Sequence, residues 1–167
     1  MPNNQSASIN ILGIDPGTKR AGFGLISKNG NELLLLEAGI IEVGKCTENE
    51  SLLLIKKQID SLIKKYSPKV FSIEKLFFSK NQKTAMSVAE ARGVSILAAM
   101  ENSLPVLEFS PNEVKSAIAG FGLADKKAVL KMVRLILKEP KLEIIDDASD
   151  ALALAIVAAQ NLKTCNL

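Results

Sequence analysis

Short apolar runs broken by turn residues fill the first quarter of the chain. Residues 9–14 (INILGI) read as a strand that ends in Asp15-Pro16-Gly17, because Pro and Gly next to an apolar run mark a turn. Residues 23–27 and 33–41 read as two further strands, joined through Lys28-Asn29-Gly30-Asn31; Asn-Gly between apolar runs is a strong hairpin signal. The opening is therefore expected to be a three-stranded antiparallel meander.

The period then changes. Over residues 48–66, Leu52, Ile55, Ile59, Leu62 and Ile63 recur at spacings of three and four with lysines between them, the pattern of an amphipathic helix. Residues 69–74 (KVFSIE) form the next strand, and a strand reached through a crossover helix runs most naturally parallel to the first. A second helix is expected over 84–101 and a fifth strand over 105–109. Ser110-Pro111-Asn112-Glu113 combines an N-cap hydroxyl, Pro at the first helical position and Glu three residues after the cap. Asp125 caps another helix, whose Val129, Met132, Val133, Ile136 and Leu137 make an apolar stripe. A last helix spans about 147–161. The order βββ-α-β-α-β-α-α-α predicts one α/β domain over residues 1–167, with a mixed sheet flanked by helices and residues 1–8 as a disordered lead-in.

Composition narrows the chemistry. The 167 residues include no His, no Trp and two Cys, which excludes imidazole acid–base catalysis, Ser-His-Asp triads and His-ligated metals. Cys46 and Cys165 lie far apart, so neither a disulfide framework nor a zinc site is indicated and the cytoplasm is the expected location. The longest apolar run, residues 151–159, is too short for a membrane span, and residues 1–10 lack the pattern of a signal peptide. The net charge of +3 is uneven: residues 1–50 carry −2, residues 51–100 carry +6 and residues 101–167 carry −1. The basic middle suits a polyanion, or equally a solvated helix face.

Four acids stand out against that background. Asp15 closes the first strand and Glu74 the fourth; if those strands are parallel neighbours, both carboxylates emerge at one sheet edge, where open α/β sheets place ligands. Asp147 and Asp150, three apart at the start of the last helix, share a face. Four carboxylates without imidazole or thiol make a hard oxygen site of the kind that holds Mg²⁺ or Mn²⁺. The plainer roles are turn initiation for Asp15 and N-capping for Asp147, whereas Glu74, at the end of an apolar strand, has no obvious structural duty.

The blocks Ile11-Leu12-Gly13-Ile14-Asp15-Pro16-Gly17 with Gly22-Phe23-Gly24, Ser72-Ile73-Glu74-Lys75-Leu76-Phe77-Phe78 with Lys80-Asn81, Glu90-Ala91-Arg92-Gly93-Val94, and Asp147-Ala148-Ser149-Asp150-Ala151-Leu152-Ala153 together resemble the RuvC family of Holliday-junction resolvases, in order and spacing, over about residues 9–160. The resemblance implies a ribonuclease H-like fold with a five-stranded mixed sheet of order 3-2-1-4-5. It also implies a homodimer acting on four-way junction DNA, coupling to the RuvA–RuvB branch-migration complex, and two symmetric cuts that leave 5′-phosphate and 3′-hydroxyl ends. By motif, Asp15, Glu74, Asp147 and Asp150 take the places of the catalytic acids and metal ligands for two Mg²⁺ ions, with Mn²⁺ as a substitute and Asp15 bridging the pair. Some relatives carry His where this chain has Asp150. Phe77 matches an aromatic that stacks on bases near the junction centre, and Lys115 and Lys126 match basic positions near the cut phosphate; their plainer readings are core packing and solvated helix faces.

The small residues Ala85, Ala89 and Gly93 recur every four positions on the second helix, a row suited either to packing on the chain's own sheet or to the dimer interface that the resemblance implies. A different ribonuclease H-like nuclease, of the YqgF type and acting on RNA, is the alternative within the fold. A kinase or ATPase half would need a second phosphate loop and an adenosine pocket, and a non-catalytic junction binder would have no use for all four acids.

Overall fold

A computed structural model describes residues 8–76 and 82–162. Five strands, β1 (Ile9–Asp15), β2 (Arg20–Asn29), β3 (Glu32–Glu42), β4 (Val70–Glu74) and β5 (Val106–Phe109), form one mixed sheet in the order β3-β2-β1-β4-β5. The meander β1-β2-β3 is antiparallel, and β4 and β5 are added in parallel beside β1. This is the expected α/β sheet. Both β2 and β3 run beyond their apolar stretches, because the hydrogen-bonded ladder continues through polar pairs such as Arg20 with Glu42. The hairpin turn is Gly30-Asn31 rather than Asn29-Gly30, and Gly30 takes the positive φ of 59° that the turn needs.

Helices α1 (Glu48–Tyr66) and α2 (Gln82–Glu101) cover one face of the sheet; α3 (Pro111–Ala119), α4 (Lys126–Ile136) and α5 (Asp146–Asn161) cover the other. Thr47 opens α1 with a capping box completed by Glu50, Ser110 and Glu113 do the same for α3, and Asp125 caps α4 through the Ala128 N–H. No helix among the described residues is long and apolar enough to cross a membrane.

The twofold alternation of strand side chains decides what each face receives. On β1, Leu12 and Ile14 join Ile55, Ile59, Phe71 and Ile73 under α1 and α2, while Ile11 faces α5. Gly13 and Asp15 follow Ile11 on that α5 face. On β4, Val70, Ser72 and Glu74 point the same way, and the Ser72 hydroxyl donates to the Leu154 carbonyl at 2.9 Å. Helix α5 is buried from Ala148 to Ala159, apart from Asp150, between the sheet and α3–α4.

It can lie this close because the strands beneath it carry glycine at the points of closest approach. A Cβ on Gly13 would stand 2.1 Å from the Ala151 carbonyl oxygen, one on Gly22 1.9 Å from that of Asp147, and one on Gly24 2.6 Å from the Leu152 nitrogen. Gly24 and Gly13 are register partners, as are Gly13 and Ser72, so a row of small residues crosses three strands under the helix.

Candidate active site

The sheet and α5 bring the four predicted acids to one place. Strands β1 and β4 are parallel neighbours with Ile14 opposite Ile73, so Asp15 and Glu74 leave the sheet side by side, on the face that carries α5. Asp147 lies in the first turn of α5 and Asp150 one turn further on. The N-cap of α5 is Ile145, with no side-chain capping bond; Asp147 is therefore not a cap, and the structural role that competed for it falls away.

Mutual repulsion is legible in the protonation of the cluster. Burial first, then the charges of Asp150, Glu74 and Asp147, push the Asp15 carboxyl up to about 8. Burial and Asp150 raise Glu74 against the pull of Lys115 and Lys126. Burial also raises Asp150, again opposed by Lys126. Negative charge accumulates around Asp15 faster than the protein's own cations offset it.

Those cations sit at the margins. Lys126 Nζ lies 3.2 Å from Asp150 Oδ2 and 3.7 Å from Asp146 Oδ2. Burial works against its charge, but Asp150, Asp146 and Asp15 hold its pKa above the ordinary lysine value. With Lys115, Glu74 and Asp150, Lys126 lines a cleft of about 210 Å³. On the other side, Asp15, Thr18, Arg20, Val88 and Asp147 line a second cleft of about 510 Å³. The acids thus form a ridge between two openings. A larger cleft of about 1000 Å³, from Thr18 and Lys19 to Cys46, adjoins the second but contains none of the four acids.

Sequence reasoning missed the part played by five residues, two arginines and three glycines. Arg20 Nε pairs with Asp147 Oδ2 at 2.5 Å. Arg20 and Gly22 are two apart on β2 and face α5 together, so one strand holds both the side chain and the backbone of Asp147. Arg92, on α2, donates from Nε to the Glu74 carbonyl at 2.9 Å and pairs with Glu108, which ties down the strand end that presents Glu74. Gly13, Gly22 and Gly24 seat the helix that carries the other two acids. An arginine within the small-residue run of α2 was a visible signal; the targets of Arg20 and the glycines were not.

An all-oxygen donor set with excess negative charge around Asp15 fits a hard divalent cation. Among the described residues, no group of three such side chains already stands as a ligand cage; Arg20 pairs with Asp147 and Lys126 with Asp150. Phe77 lies outside the described residues, as do residues 1–7 of the expected lead-in. Ala89 and Gly93 face outward from α2, Ala85 is half-buried, and a Cβ on Gly93 would meet nothing within 4 Å; the row of small residues does not pack on the chain's own sheet.

The sequence matches the model of the family "Crossover junction endodeoxyribonuclease RuvC" over residues 11–158. A RuvC from Pelotomaculum thermopropionicum is 42% identical over 152 residues, 90% of this chain and 93% of that protein. One from Brachyspira hyodysenteriae is 45% identical over 156 residues, 93% and 96% of the two chains. Among solved structures, Thermus thermophilus RuvC in complex with Holliday junction substrate superposes with a TM-score of 0.86 at 29% identity, over 93% of this chain and 96% of that one.

Proposed function

The chain belongs to the RuvC family of crossover junction endodeoxyribonucleases, and on that premise we propose that Asp15, Glu74, Asp147 and Asp150 are the acids with which it resolves four-way DNA junctions by two symmetric phosphodiester cuts. The observation that carries the assignment is the convergence of these carboxylates at the ends of β1 and β4 and the start of α5, where burial and then the neighbouring acids raise Asp15, Glu74 and Asp150. The YqgF-type reading on RNA is not favoured.

The four carboxylates would hold two Mg²⁺ ions, or Mn²⁺ in their place. Such ions supply Lewis acidity, activating water and offsetting charge on the leaving 3′ oxygen. The chain's own residues do the positioning. Asp15 and Glu74 are set by neighbouring strands, and Asp147 is set by Gly22 and Arg20, so the oxygens are held in place before substrate arrives. Lys115 and Lys126, beside Glu74 and Asp150, place ammonium groups where a phosphate seated on the acids would extend its non-bridging oxygens. Arg20 pairs with Asp147, which offsets part of the like charge gathered beside Asp15.

Symmetric cutting requires two such sites. The outer face of α2 carries Met86, Leu97 and Met100, all exposed, with Ala89 and Gly93 among them, an apolar stripe with a small-residue centre that a second copy could approach closely. We assign the homodimer interface to this face. A C₂ pair presents two equivalent sites to a junction that can itself adopt near-twofold symmetry. In this reading the protein acts on DNA in the cytoplasm and works downstream of RuvA–RuvB branch migration.

The test is incubation with a synthetic mobile four-way junction, with and without Mg²⁺, beside linear duplex and RNA–DNA hybrid controls. Paired nicks on opposite strands of the junction alone, lost in Asp15→Asn and Glu74→Gln with binding retained, are expected. Cleavage of the hybrid in place of the junction would overturn the reading.

A further inference from the structure

The loop between α3 and α4 carries two large apolar side chains in solvent: Phe121 is 56% exposed and Leu123 is 91% exposed. The loop is not slack. Gly120 closes α3 in the left-handed region at φ 84°, its N–H donating to the Ser116 carbonyl at 3.0 Å. Ala124 is buried, and its N–H reaches the Phe121 carbonyl at 3.3 Å. Asp125 then caps α4 through the Ala128 N–H at 2.7 Å. Pinned at both ends and at Ala124, the loop presents Phe121 and Leu123 outward.

Its position gives that exposure a meaning. Leu123 precedes Lys126 by three residues, so their Cα atoms lie within about 11 Å of each other, and Lys126 Nζ is 3.2 Å from Asp150. DNA grooves are about 6–12 Å wide, so the tip lies within about one groove width of Lys126. Lys115 and Lys126 line one cleft, and Lys126 and Lys127 follow the tip closely in the chain, a setting that suits nucleic acid better than an apolar protein face. Among the described residues, Phe121 is also the only aromatic side chain that is exposed rather than buried or half-buried.

We propose that the Phe121–Leu123 tip is a DNA-contacting wedge, making apolar contact with the bases of the junction arm beside the cut phosphate. The inference rests on the junction-resolvase reading above and adds a subsite to it. Phosphate contacts orient a protein on DNA, whereas aromatic and apolar side chains engage bases that are unstacked or open in a groove, and a junction branch point offers such bases.

The test compares wild type with Phe121→Ser, Leu123→Ser and the double variant. Binding of a fluorescent four-way junction is measured in metal-free buffer at several salt concentrations, together with a junction carrying 2-aminopurine near the branch point. The double variant is expected to bind at least fivefold more weakly, the lower end of base–aromatic stacking at about 1–3 kcal/mol per base. Its slope of log Kd against log salt should equal that of wild type, because no phosphate contact is lost. It should also lose the 2-aminopurine response, Phe121→Trp should bind as wild type does, and melting temperatures should change little, since both side chains are exposed. Binding within twofold of wild type, or a loss accompanied by a smaller salt slope, overturns the wedge while the resolvase reading stands. A wild-type protein that does not bind junctions overturns both.

Discussion

In the metal-free protein Asp15 makes folding depend on pH in a direction opposite to that of an ordinary carboxylate. Its pKa rises from 3.8 in the unfolded chain to about 8 in the fold, so between those values the folded state holds a proton that the unfolded state has released. Stability then falls as pH rises across that window and levels off above it. A rise from 3.8 to about 8 corresponds, at about 1.4 kcal/mol per pH unit, to at most about 6 kcal/mol by pH 9. Glu74 and Asp150, also raised, add to the slope with the same sign. Asp15→Asn removes the charge while keeping the shape. The assay is urea unfolding in EDTA at pH 4, 7 and 9 for wild type and variant. The two should be alike at pH 4, with the variant more stable by several kcal/mol at pH 9. Millimolar Mg²⁺ should restore wild type at high pH by mass action and leave the variant unmoved. A metal-free wild type as stable at pH 9 as at pH 4, or an Asn variant with no advantage at pH 9, would refute the raised pKa that burial and then the neighbouring acids give Asp15.

Gly22→Ala puts a Cβ 1.9 Å from the Asp147 carbonyl; the start of α5 must move, at a cost of about 1–3 kcal/mol in unfolding experiments and about 100-fold in kcat, because displacement of about 1 Å in a site costs that much. Lys126→Ala removes the cation that holds Asp15, Glu74 and Asp150 down. Its cleavage should be lost first at acidic pH, with the low-pH limb of the rate profile moving upward, and the salt slope of junction binding should fall by about 1. Leu97→Glu on the exposed face of α2 should halve the mass seen in sedimentation and uncouple the two nicks, while a dimer that persists would remove α2 from the interface.

Periodicity in the sequence is sufficient for the element order, for the helix starts at Ser110 and Asp125, and for the proximity of Asp15 to Glu74, because strand ends and caps are written in neighbouring residues. Ladder length was less legible: β2 and β3 continue through polar pairs whose partners lie in another strand. The convergence of Asp147 and Asp150 on the strand-end acids, and the purpose of Arg20, Arg92, Gly13, Gly22 and Gly24, belong to the tertiary structure. Each of those roles depends on where α5 or β4 lies against strands distant in the chain. A glycine is silent in sequence about which backbone will approach it, and an arginine about which carboxylate it will meet. The identities of the acids are thus local information. The burial of Asp15 and the charge it shares with the other acids, which together raise it and suit the site to a divalent cation, exist only once the sheet and α5 have packed together.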